Sequence, residues 1–267
     1  MPEEGRPPVE ETPAESPRLT DVPPLTYEMR QFEKASAGCD GAEGDGCARL
    51  TLSYPEITQA PTDAARSAID RFVREAMLAP VSVQEDERAT APTPEALGES
   101  FLEEHRAHRE QAPDAPAHWT IERVAEVVYE TDELVTIKVT DGGYMGGAHP
   151  FTSVVYRTFD LDDGSQITPE DVFAPGFEEE LRSRLEQGLR AAKAVPEGQS
   201  LHEFGFYFEG ELPFPESFGV LEDTLVFWYD PYEIAPYVMG PVDVRIPREE
   251  LSGLIDPRGA LTDPAEG

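Results

Sequence analysis

Apolar and polar positions alternate from residue 25 to 32 and again from 48 to 54, a two-residue period that predicts two half-buried strands on either side of a cysteine-bearing loop. Together they read as a hairpin. Pro61-Thr62-Asp63 supplies a helix start, and Ile69, Phe72, Val73, Met77 and Leu78 then recur at helical spacing until Pro80 ends the run. A second amphipathic helix is predicted around residues 95–109, entered through Pro92-Thr93-Pro94, with Leu97, Phe101 and Leu102 on its buried face. Strands follow at 119–129 and 134–140, joined by Glu130-Thr131-Asp132-Glu133, and another at 152–161 after a glycine-rich bend. Asp162-Asp163-Gly164 reads as a hairpin turn. Thr168-Pro169-Glu170-Asp171 combines an N-cap, a proline at the first helical position and acids in the first turn, so it opens a short helix. Residues 177–193 give the longest helix, striped by Leu181, Leu185 and Leu189, and strands at 214–220, 224–228 and 242–246 complete the pattern. Helices and strands do not alternate regularly, so the expected class is α+β, an antiparallel sheet with packed helices.

The ends read differently. Residues 1–24 carry Pro2, Pro7, Pro8, Pro13, Pro17, Pro23 and Pro24 among glutamates, and such a segment buries too little apolar area to offset its ordering entropy. It is expected to be a disordered, semi-rigid acidic stalk. The globular unit is expected to divide into an N-terminal half at 25–140 and a C-terminal half at 141–255, with 256–267 as a frayed tail.

Charge narrows the partners. The 54 acidic residues against 21 Lys and Arg give a formal net charge of −33, spread through the chain, which excludes nucleic acid and an anionic membrane surface as partners and favours a basic protein. Lys34, Lys138 and Lys193 are the only lysines, a balance that fits a salt-rich habitat and equally fits GC-rich coding. No run of eighteen apolar residues is present, and the first residues lack the basic and apolar regions of a signal peptide. The protein is therefore either cytosolic or separated here from a leader. Cys39 and Cys47 bear on that choice, because an even count inside a loop with Gly38, Gly41, Gly44 and Gly46 favours a disulfide over two free thiols. Such a bond persists only in an oxidising compartment and stabilises by about 2–3 kcal/mol. Asp40, Glu43 and Asp45 lie in the same loop, but their spacing misses the calcium ladder.

Candidate chemistry is sparse. Asp141-Gly142-Gly143-Tyr144-Met145-Gly146-Gly147-Ala148-His149-Pro150 lacks the lysine and the strand-to-helix setting of a phosphate loop, so the expectation is a tight bend held by a hydrogen bond from His149, with a ligand or proton-transfer role for His149 as the alternative. Thr158-Phe159-Asp160-Leu161-Asp162-Asp163-Gly164 approaches the opening motif of polysaccharide deacetylases, but the downstream two-histidine motif those enzymes need for zinc is missing. His105 and His108, three apart on a helix, lack a third ligand fixed by a motif. No Gly-x-Ser-x-Gly occurs, and neither a catalytic residue, a metal nor a cofactor is expected. Residues 229–241 form a rigid aromatic and proline-rich loop in which Tyr229, Tyr232 and Tyr237 offer flat faces for recognition, or else pack over the sheet.

Gly146-Gly147-Ala148-His149-Pro150, Phe159-Asp160-Leu161, Ile167-Thr168-Pro169-Glu170-Asp171-Val172-Phe173, the stretch from Leu225 to Tyr237, and Gly240-Pro241 taken in order resemble a bacterial envelope domain family of unknown function. That family is shared with the ectodomain of a lysozyme-sensing anti-sigma factor and the non-catalytic N-terminal region of a peptidoglycan deacetylase. Cys47-Ala48-Arg49-Leu50-Thr51-Leu52-Ser53-Tyr54-Pro55 resembles the companion half. The resemblance implies an exported domain, periplasmic or at the cell surface, anchored through a preceding segment and without chemistry of its own. The expected function is a binding or sensor module for a peptidoglycan fragment or a cationic, lysozyme-like protein through His149, Tyr229, Tyr232 and Tyr237. The alternatives are a peptidoglycan hydrolase or deacetylase using His149 with nearby acids, and a structural envelope lipoprotein.

Overall fold

A computed structural model describes residues 23–39, 46–81, 90–114 and 118–261. The expectations for residues 1–22, for Asp40, Glu43 and Asp45, and for 262–267 lie outside the described residues. Strands β1 (Thr26–Ala35) and β2 (Ala48–Gln59) form the expected antiparallel hairpin. Helices α1 (Asp63–Leu78) and α2 (Pro94–Gln111) follow, each opened by a threonine side chain: Thr62 accepts from Ala65 N and Thr93 from Ala96 N. Strands β3 (Trp119–Glu130), β4 (Leu134–Met145), β5 (Phe151–Asp160) and the two-residue β6 (Gln166–Ile167) complete a six-stranded sheet in the order β1-β2-β3-β4-β5-β6. One pairing departs from the antiparallel expectation. β2 and β3 run parallel from Ala48 beside Trp119 to Ser53 beside Val124, because the two-helix crossover returns the chain to the same end of the sheet.

The remainder builds a second layer. After the short α3 (Pro169–Val172) come α4 (Glu178–Ala192) and the single turn α5 (Leu201–Phe204), then β7 (Ser217–Val220), β8 (Thr224–Tyr229) and β9 (Val242–Pro247) as a three-stranded antiparallel sheet. A 3-10 turn at Tyr237–Met239 lies between β8 and β9, and α6 (Arg248–Leu251) closes the chain. Leu181, Leu185 and Leu189 of α4 are buried against this smaller sheet, and Gly188 is required there: a Cβ would stand 2.4 Å from Val244 Cγ1. One core lies between the large sheet and α1 and α2, while the other joins α4 to the small sheet. The expected division at 140/141 falls inside β4; the first core ends at Leu161, and the second gathers residues from Ile167 onward together with Leu134. Residues 256–261, expected to fray, instead pack back: Ala260 N donates to Asp171 O at 3.0 Å, and Leu261 touches the second core.

Side chains stitch the two layers. Thr136 and Thr158 lie opposite each other on β4 and β5, fully buried, with their hydroxyls 2.9 Å apart. Thr158 accepts from Val220 N at 3.0 Å and Thr136 donates to Val220 O at 2.5 Å, so two threonines replace a missing ladder between β5 and β7. Arg123, only 2% exposed, performs a similar task in the first layer. Its guanidinium donates to the carbonyls of Met77 (3.1 Å), Ala79 (2.5 Å) and Pro80 (3.2 Å), satisfying the C-terminal end of α1, while Nε lies 3.1 Å from Asp141. Burial pushes the Asp141 carboxyl up despite that guanidinium.

Candidate functional site

The glycine-rich stretch is strand before it is bend. β4 continues through Gly142 and Gly143 to Met145, and Gly143 must lack a Cβ because one would meet Thr120 O at 2.2 Å. The actual turn is confined to residues 146–150, begun by Gly146 at φ +78°. At its end His149 faces the neighbouring layer. Nδ1 lies 2.9 Å from Pro150 O, which requires a proton on that nitrogen, so in the neutral ring Nε2 accepts the Tyr232 hydroxyl at 3.0 Å. The imidazole also stacks on Tyr237, centroids 3.6 Å apart and 14° from parallel, with Tyr232 and Tyr237 centroids 5.9 Å apart.

The loop that carries both tyrosines is clamped at each end. Asp230 accepts from Val154 N at 2.9 Å, from Trp228 Nε1 at 2.7 Å and from the Ser153 hydroxyl, fastening β8 to the outer edge of β5. Its own N–H donates to Glu233 Oε2 at 2.8 Å, and Glu233 N returns to Asp230 O at 3.1 Å. Burial raises the Glu233 carboxyl. At the far end Lys193, from the C-terminus of α4, donates to Met239 O and to Pro241 O at 2.8 Å, and its burial lowers the ammonium pKa. Ile234 and Ala235 plug the second core between these clamps. Tyr232 is held at φ +72°, a left-handed conformation costing roughly 1–2 kcal/mol for a residue with a Cβ. Tyr232 is 56% exposed and Val238, further along the loop, 88% exposed, so the loop turns apolar groups outward.

Three of the four expected binding residues therefore converge, and the fourth does not. Tyr229 is fully buried, its hydroxyl donating to Pro213 O at 2.8 Å and its phenol pKa raised by desolvation. As the last residue of β8 its side chain falls on the core face, two residues before the chain turns out. Sequence reasoning missed Asp230 and Lys193. Lys193 had a signal, being one of three lysines, whereas Asp230 had none among so many acids.

The other candidates find structural places. His105 and His108 pack their rings on Trp119, at 5.4 and 5.1 Å, beside the Cys39–Cys47 disulfide, whose Cα atoms are 5.6 Å apart. Among the described residues no group of three or more His, Cys, Asp or Glu is placed to hold a metal. Asp160 accepts from the N–H groups of Asp162 and Asp163 at 2.7 and 3.2 Å, so the deacetylase-like acids form the predicted turn. Gly164 closes it at φ +75°, where a Cβ would stand 2.6 Å from Ala64 O at the start of α1. No helix among the described residues is long and apolar enough to cross a membrane.

Comparison with known proteins follows the two-layer plan. Residues 42–152 match the family model of Deacetylase PdaC, and residues 170–249 match that of a protein of unknown function (DUF3298). The solved structure of a DUF3298 family member from Bacteroides fragilis NCTC 9343 superposes with a TM-score of 0.66 at 21% identity, covering 87% of this chain and 94% of the other. A DUF3298 family protein from Pseudomonas aeruginosa PAO1 gives 0.62 at 22%, covering 88% and 96%. Likeness at these identities shows the fold. No curated protein matches the chain. The chain thus joins a region similar to the Deacetylase PdaC family, which includes Cys47–Pro55 and the histidine turn, to a region similar to the DUF3298 family of unknown function, which includes the aromatic loop.

Proposed function

We propose that this chain is a non-catalytic binding or sensor module exported to the cell envelope, and that His149, Tyr232 and Tyr237 meet its ligand. The observation that carries the reading is Tyr232: an exposed ring, in a strained backbone conformation, fixed by His149 and clamped by Asp230 and Lys193. A core has no use for strain that turns a tyrosine outward, whereas a pre-organised contact avoids ordering cost on binding. The disulfide supports an oxidising compartment, and the similarity to a family named for a deacetylase supports an envelope setting. The acids beside Tyr232 are committed: Asp230 and Glu233 give carboxylate oxygens to N–H groups of the fold, which favours binding over proton transfer. Stacked aromatic faces suit a sugar ring or the cationic groups of a basic protein, and the net charge of −33 steers the latter.

The test is a titration against a lysozyme-type cationic protein, soluble peptidoglycan fragments and a neutral protein, at low and high ionic strength. Binding of the cationic protein should weaken with salt, and fragment binding should not. If neither exceeds the neutral control, the structural-lipoprotein reading replaces this one; turnover of the fragments would establish the hydrolase or deacetylase reading.

A further inference from the structure

Beyond Ser53, β2 no longer pairs with β3, while α1 packs along it, and a groove of about 550 Å³ opens between them. That volume lies within the range of small-molecule sites, about 300–1,000 Å³. Ile57, Val73, Met77 and Leu78, all buried, line it together with Pro92 and Pro94. Its walls are a paired strand and a sixteen-residue helix, so the shape is pre-formed.

The free side of β2 is not a template for another strand. Pro55 has no N–H, so a strand added on that side would find no donor there. Recognition in the groove therefore falls to side chains. The two acids that line it are already engaged. Glu56 pairs with Arg30 of β1, Nε to Oε2 at 2.5 Å, and Asp70 lies 3.7 Å from Arg66, its carboxyl pushed up by burial. Arg74, two turns along α1 from Arg66, donates to Pro92 O at 3.4 Å, a neutral acceptor that keeps its guanidinium on the lining of the groove. Tyr54 adds a hydroxyl whose pKa is raised by burial, so it stays a donor.

An apolar floor, engaged acids and guanidinium and phenol donors at the rim define one chemistry. We propose that the groove between β2 and α1 is a second ligand site, independent of the aromatic loop, for a small amphipathic anion whose apolar body lies on Ile57, Val73, Met77 and Leu78 and whose head meets the Arg74 guanidinium. The surrounding charge gives it a signature. The chain's overall negative potential repels an anion at long range, so screening strengthens binding here and weakens cation binding at the loop.

The probe is 8-anilinonaphthalene-1-sulfonate, an aromatic apolar anion, titrated by fluorescence into the folded chain at two ionic strengths. One saturable site per chain is expected, tighter at high salt. Arg74→Glu, on the exposed face of α1, should weaken it about tenfold, with unchanged circular dichroism. Tyr232→Ala should leave it intact. Failure to saturate, equal affinity of Arg74→Glu and the unaltered chain, or loss with Tyr232→Ala would each overturn the proposal. None of these outcomes touches cation or glycan binding at the loop.

Discussion

Replacing Asp230 by Ala removes the acceptor for Val154 N–H, Trp228 Nε1–H and the Ser153 hydroxyl in one step. Ser153 can rotate towards another acceptor, but the two N–H donors lose a charge-assisted partner in a part-buried seam. At about 1–3 kcal/mol for each unsatisfied donor, discounted for partial exposure, the loss is roughly 2–4 kcal/mol. For a chain of this size that lowers the melting temperature by about 5–15 °C. Asp230→Asn separates charge from geometry. Its Oδ1 keeps both N–H groups and its Nδ2 donates to Ser153 Oγ, so only about 1 kcal/mol is lost. Thermal and urea unfolding of the two variants, monitored together by circular dichroism and tryptophan fluorescence, measures both numbers. An alanine variant within about 1 kcal/mol of the unaltered chain, or an asparagine variant as damaged as alanine, would refute the clamp.

Arg123→Met strips three carbonyls of their donor and leaves Asp141 without its guanidinium, so urea unfolding should show a loss of about 3 kcal/mol, part of it recovered by adding Asp141→Leu. Thiol titration of the unreduced, denatured protein should find no free thiol, and reduction should lower stability by about 2–3 kcal/mol. Asp70, Glu130, Asp141 and Glu233 are all raised by burial, so the folded state holds their protons more tightly than the unfolded chain. Their contribution is complete below the ordinary carboxylate range and lost as pH rises through the raised values. The melting temperature should therefore climb as pH falls from about 7 towards 5; a steady fall over that window would contradict the assignment.

Much of the fold was legible because its elements are amphipathic and punctuated: Thr62 and Thr168 stand at the helix starts where caps were expected, and Asp162-Asp163-Gly164 turns where it should. Parallel pairing of β2 with β3 was not legible, since strand patterning records which face is buried and not the direction of a neighbour seventy residues away. Nor was the continuation of β4 through Gly142 and Gly143, because glycine carries turn and close backbone approach in the same letter. At the site, His149, Tyr232 and Tyr237 were found as unusual residues in two separate segments. Their convergence depends on how the small sheet docks on β5, which is set by Asp230, Ser217, Thr136 and Thr158 through long-range contacts that leave no local pattern. Tyr229 was misplaced because a β-strand ends on it, and alternation alone does not say where outward projection begins.

The central claim is that Tyr232 is strained outward in order to bind, and Tyr232→Gly tests it most directly. Glycine adopts φ +72° without penalty, so the substitution removes the ring and its hydroxyl bond to His149 while releasing the backbone strain. Stability should stay within about 1 kcal/mol of the unaltered chain, as hydrogen-bond loss and strain relief offset each other. Affinity for whichever partner binds in the titration should fall at least about tenfold. Retained affinity in the glycine variant, or a large loss of stability with no loss of affinity, would mean that the tyrosine holds the two loops together and that ligands are met elsewhere.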